Sequence, residues 1–145
     1  MPKPYAFKLE KILDFRKQVE EQARLALAEA NRLHADQKKI VDGIELKKNN
    51  HQKKEYEKLS VDDLWLWRQY DEALTKDLHA AQNRLTQLAL NLQRCRTDAV
   101  QKSKDRKLLE KLKENQAKKY YEEENLKEQK EYDEMATLRF KPKTF

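Results

Sequence analysis

The stretch LWLWRQYDEALTKDLHAAQNRLTQLALNLQRC, residues 64–95, decides the fold. Every seventh residue falls into two interleaved series. One is Leu64, Asp71, Leu78, Leu85 and Leu92; the other is Trp67, Leu74, Ala81, Leu88 and Cys95. Apolar residues at alternating steps of three and four draw a stripe down one side of an α-helix. Such a stripe is too apolar to face water along its length, so another element must cover it.

The cover is found earlier in the chain. Leu9, Arg16, Ala23, Ala30, Gln37 and Ile44 form one heptad series, and Ile12, Val19, Ala26, Leu33, Ile40 and Lys47 form its companion. In an antiparallel pair the numbers of facing residues sum to a constant. Leu9 with Leu109, Ala23 with Cys95, Ala30 with Leu88, Leu33 with Leu85, Ile40 with Leu78 and Ile44 with Leu74 all sum to 118. The expected fold is all-α, a long antiparallel two-helix coiled coil that turns near Leu59. At roughly 1.5 Å per residue over some 50 residues, the hairpin is about 75 Å long. The expected core is Leu9, Ile12, Val19, Leu33, Ile40 and Ile44 against Leu74, Leu78, Leu85, Leu88, Leu92, Cys95 and Leu109.

The boundaries follow from local signals. Pro2 and Pro4 keep the start extended, so the first helix is expected over about 6–58. The turn falls at about 59–60, and Ser60 is the expected N-cap of the second helix. Ser60-Val61-Asp62-Asp63 resembles a capping box, with both carboxylates at the positive end of the helix dipole. The second helix is expected over about 61–136, followed by a disordered tail over 137–145. All of this forms one coiled-coil domain. Gly43 lies inside the first helix beside the seam, at a cost of about 1 kcal/mol relative to alanine.

The second helix is the longer arm. Its seam gives way to Lys113, Gln116, Tyr120, Glu123, Lys127 and Lys130, about where the first helix runs out of residues. Lys113 to Ala136 is therefore expected to project as a single charged helix. Two polar seam positions bear on register: Lys47 is expected opposite Asp71, and Arg16 opposite Lys102.

Composition narrows the function. The chain has 145 residues, 40% of them charged, one Gly and one Cys, with a formal net charge of +6. Clusters such as Lys118-Lys119 are matched by Glu122-Glu123-Glu124, a pattern of solvated helix faces with Glu–Lys pairs. There is no one-signed stripe for nucleic acid. There is no apolar run long enough to span a membrane, and the start lacks a signal-peptide core. The expected location is intracellular. His34, His51 and His79 are scattered, without metal-ligand spacing, and one Gly excludes a Gly-rich phosphate loop. No catalytic, cofactor or metal site is expected, and no enzymatic activity.

What remains is surface. Leu64-Trp65-Leu66-Trp67 places apolar residues on every side of a helix. The seam takes Leu64 and Trp67 and leaves Trp65 and Leu66 outside, with Tyr70 nearby. These three are a candidate partner site, since Trp and Tyr bury large area at low entropic cost. The alternative is that their rings cap the end of the hairpin. Leu13, Leu27 and Val41 flank the first seam, where they either widen the core or accommodate a third helix.

The stretch Arg106-Lys107-Leu108-Leu109-Glu110-Lys111-Leu112-Lys113-Glu114, then Tyr120 or Tyr121, Glu128-Gln129-Lys130-Glu131 and Asp133-Glu134-Met135-Ala136, resembles the FliJ family of bacterial flagellar export proteins. Phe7-Lys8-Leu9-Glu10-Lys11-Ile12-Leu13 is compatible with it. The resemblance implies a non-enzymatic, stalk-like coiled coil of the flagellar type III export apparatus, cytoplasmic and peripheral to the inner membrane. It implies as partners the hexameric export ATPase FliI, the export-gate protein FlhA and substrate-specific export chaperones, coupled to proton-driven export. Carried onto this chain, Arg106, Lys107, Glu110, Tyr120, Lys130, Asp133 and Glu134 would face the ATPase ring, and Trp65, Leu66 and Tyr70 the gate. The equivalent stalk of a virulence secretion system and a self-associating coiled-coil scaffold are the rival readings.

Overall fold

Two helices make up the fold, α1 (Glu10–Gln52, 43 residues) and α2 (Val61–Arg139, 79 residues). The computed structural model describes residues 3–54 and 58–140, and the helices form an all-α hairpin. The chain divides into two compact units, Met1–Glu20 with Lys102–Phe145, and Glu21–Gln101.

The α2 seam is the one read from the sequence. Leu74, Ala81, Leu88, Leu92 and Leu109 are buried, and Leu64, Trp67, Asp71, Leu78, Leu85 and Cys95 are half-buried. On α1, one series is also as read, with Ala23 and Ala30 buried and Arg16, Gln37 and Ile44 half-buried. Its companion is corrected by one residue. Leu13, Glu20 and Val41 are buried, with Leu27, His34 and Lys48 half-buried, whereas Ile12 (46%) and Ile40 (53%) are exposed. Val19 and Leu33 lie half-buried at the margin. Leu13, Leu27 and Val41 are thus seam residues. Trading one companion series for the other turns the buried face of α1 by roughly 50° about its axis. The reason lies in the polar seam residues. Arg16, Glu20, Gln37 and His51 each find a partner on α2, and a buried polar group left unpaired costs more than an exposed isoleucine.

In the unit Glu21–Gln101, Gln37 Nε2 donates to the carbonyl of Ala81 at 3.0 Å, and His51 meets Trp67. Both pairs sum to 118, as the register read from the sequence requires. The pair expected between Lys47 and Asp71 does not form: Lys47 is exposed and Asp71 Oδ1 is buried without a partner among the described residues.

The helix ends differ from expectation at α1. It starts at Glu10, because Tyr5 and Phe7 pack against α2 in extended chain instead of entering the helix. It stops at Gln52, where Lys53 N–H and Lys54 N–H close the last turn on the carbonyls of Asn49 and His51. Residues 55–57, part of the expected helix, lie outside the described residues. At α2, Ser60 caps as read, its Oγ accepting from Asp63 N–H at 3.3 Å. The helix continues to Arg139, through the first residues of the expected tail; 141–145 lie outside the described residues.

The projecting arm is shorter than expected. In the unit Met1–Glu20 with Lys102–Phe145, Lys113 Nζ pairs with Glu10 at 2.8 Å, and Ala117 and Tyr120 are half-buried beneath the N-terminal segment. The bare part of α2 begins at about residue 122. Beyond it only Glu124 and Glu128 lose substantial exposure.

Candidate interaction surfaces

The unit Met1–Glu20 with Lys102–Phe145 is built on Leu109. Phe7 and Leu13 bury it, with Tyr5 and Leu9 packed at the edge. Around this small core the polar groups are paired. Arg106 bonds through Nε to Glu20, itself 5% exposed, and through Nη1 to Glu110 at 2.6 Å. The hydrogen bond to Glu20, with that to Glu110 behind it, holds the guanidinium pKa above its usual value. The bond to Glu10 likewise raises the ammonium of Lys113. Arg16 Nη1, expected opposite Lys102, donates instead to a backbone acceptor, the carbonyl of Asp105, at 2.8 Å.

An N-terminal strap then runs along α2. Tyr5 O–H donates to Gln116 Oε1 at 2.9 Å, Tyr5 N–H donates to the Tyr121 hydroxyl, and Tyr120 O–H donates to the carbonyl of Lys3 at 3.0 Å. The rings of Tyr5 and Tyr120 lie 5.4 Å apart, as do those of Tyr120 and Tyr121. Three of the residues assigned by resemblance to an ATPase ring, Arg106, Glu110 and Tyr120, therefore have partners within the fold. Lys107, Lys130, Asp133 and Glu134 are exposed, the last three on the bare part of α2. The sequence reading missed Glu20 and Tyr5, because their partners are about a hundred residues away.

In the unit Glu21–Gln101, His51 and Trp67 clasp each other twice. His51 Nε2 donates to the Trp67 carbonyl at 2.8 Å, and Trp67 Nε1 donates to the His51 carbonyl at 3.2 Å. Their rings stack at 4.6 Å. The second bond gives the His51 carbonyl, at the end of α1, a donor besides Lys54 N–H. Tyr70 sets its ring edge on His51 at 4.7 Å. Trp65, Leu66 and Tyr70 remain 61%, 58% and 49% exposed. They are not one patch. Leu66 and Tyr70 are four residues apart and share a face, whereas Trp65 is rotated roughly 140° from Tyr70. In the register of 118, Leu66 and Tyr70 lie level with Gln52 and Lys48 of α1, and Ile40 and Gly43 lie level with Leu78 and Thr75. A Cβ at Gly43 would meet nothing within 4 Å.

Among the described residues there is no cluster of His, Cys, Asp and Glu that could hold a metal ion, and no helix long and apolar enough to cross a membrane. The geometry defines a class: a helical hairpin whose chemistry lies in exposed faces and one uncovered helix. The chain belongs to the FliJ family, whose profile, described as flagellar FliJ protein, matches residues 5–144. Family membership associates it with type III protein export. No curated protein is significantly similar in sequence. Among solved structures the fold is similar to that of CT670 from Chlamydia trachomatis, described as a YscO homologue. The identity is 18%, the TM-score is 0.57, and the match covers 92% of this chain and 94% of that one.

Proposed function

We propose that this chain is the stalk-like, non-enzymatic component of a flagellar type III export apparatus, linking the export ATPase to the export gate and serving as a general export chaperone. The family match over residues 5–144 supports the apparatus. The observation that supports the mode of action is the bare helix from about residue 122 to Arg139, with Lys130, Asp133 and Glu134 exposed. Long charged side chains on such a helix make many weak, exchangeable contacts, each worth about 0 to 1 kcal/mol. A part that turns or shifts inside a ring needs contacts of this kind. We assign the ATPase surface to this segment together with Lys107. Leu66 and Tyr70 form the gate-facing surface, and Trp65 lies on a separate face. The working location is cytoplasmic, at the membrane-peripheral base of the apparatus.

The likeness to a YscO homologue favours one second reading, the same role in a virulence secretion system. Rescue of motility in a strain lacking its flagellar stalk protein separates the two readings.

The test is capture of partners from the native host by the full chain, by a chain ending at Tyr121, and by Leu66→Ala with Tyr70→Ala. An ATPase lost only on truncation, and a membrane export protein lost only with the double substitution, are the expected results. Capture of neither by the full chain overturns the proposal.

A further inference from the structure

Two buried polar atoms of the unit Glu21–Gln101 have no hydrogen-bond partner among the described residues, Nδ1 of His51 and Oδ1 of Asp71. Both are acceptors. His51 Nε2 lies 2.8 Å from the Trp67 carbonyl, which can only accept, so Nε2 carries a proton and in the uncharged imidazole Nδ1 is the acceptor. Nδ1 therefore presents a lone pair. An ionised carboxylate accepts only. The two atoms belong to one neighbourhood, because the helix ladder ties the Asp71 N–H to the same Trp67 carbonyl that His51 engages.

Buried acceptors without donors are rare, and each calls for an explanation. Lys48 of α1 is half-buried in this part of the seam, yet it forms no ion pair with Asp71. On the Leu66 side, Tyr70 lies against His51. The two rings meet edge to face and Tyr70 is half exposed, so its side chain has room to change rotamer.

We propose that His51 and Asp71 form the floor of a docking site for a basic side chain, arginine above all, carried on an apolar segment of a partner protein. The segment packs on Leu66 and Tyr70, Tyr70 swings aside, and the guanidinium donates to Asp71 Oδ1 and His51 Nδ1. A guanidinium suits two acceptors because it offers several N–H groups in a fixed fork, and the Tyr70 ring offers it a face to stack on. The inference rests on reading Leu66 and Tyr70 as a partner surface and adds the chemistry of that partner.

The probe is an amphipathic helical peptide with one arginine in its apolar stripe, matched by a peptide with neutral citrulline at that position. Binding to the full chain is followed by calorimetry and by the nitrogen resonances of His51. The arginine peptide is expected to bind at least tenfold more tightly and to shift the Nδ1 resonance. Asp71→Asn is expected to remove that preference with helicity retained, and His51→Gln to reduce it. Equal affinities for the two peptides, or binding of neither, overturn the proposal. An unshifted Nδ1 alongside tight binding does the same, since a solvent molecule then already serves the acceptors. If Leu66→Ala with Tyr70→Ala abolishes partner capture while Asp71→Asn leaves it intact, the docking surface stands and this inference falls.

Discussion

Arg106 is the residue on which a reading by composition goes furthest astray. It looks like one more surface cation, yet its guanidinium is held by Glu20 and Glu110. Arg106→Met takes from the buried Glu20 carboxylate its guanidinium partner and is expected to cost about 2 kcal/mol, measured by chemical denaturation. Adding Glu20→Met should recover most of that loss, because two apolar side chains replace a pair that was expensive to desolvate. Gly43 gives the opposite sign. It adopts no positive φ, and a Cβ there would meet nothing within 4 Å. Gly43→Ala should therefore stabilise the fold by about 1 kcal/mol in the same assay. Lys113 supplies a pH dependence. Glu10 raises its folded-state pKa, so its contribution is fully present below the ordinary lysine range and is lost as pH rises through the raised value. As pH rises through the ordinary lysine range and above it, the native chain should lose more stability than Lys113→Gln.

Each element has its own logic. The seam of α2 was legible because its apolar residues dominate one heptad frame from Leu64 to Cys95. The seam of α1 was legible only by half. Ile12, Val19, Ala26, Leu33 and Ile40 are more consistently apolar than Leu13, Glu20, Leu27, His34 and Val41, yet the second set lies in the seam. A hydrophobicity count cannot see that Glu20 meets Arg106, or that His51 meets Trp67. The N-terminal strap was also hidden, since Tyr5 and Phe7 carry no local signal for packing on α2. Removing residues 1–9 should speed amide hydrogen exchange around 116–121, while exchange around Leu74–Leu92 stays unchanged. The bare end of α2 makes few tertiary contacts. A chain ending at Tyr121 should show the same thermal midpoint within a few degrees, by circular dichroism, as the full chain.

For the molecule as a whole, the proposed role requires a single copy. The exposed side chains of Ile12, Ile40, Leu66 and Tyr70 would otherwise favour self-association as a scaffold. Sedimentation at low and high concentration is expected to give 17.5 kDa throughout. A stable dimer would favour the scaffold instead. Among the candidate site residues, exposure was predictable for Trp65, Leu66 and Tyr70 because the seam left them no place inside. Leu66 and Tyr70 share a face and Trp65 does not, which the helix spacing sets.

Period and composition alone determined that this chain is a two-helix hairpin turning near Leu59, with the capping serine and a longer second arm. Those features follow from spacing along the chain, which is local information. The tertiary structure alone decided which side of α1 faces α2, where the bare arm begins, and which charged residues are paired within the fold. Each of those depends on polar groups finding partners far away in sequence, and no periodicity records such a meeting.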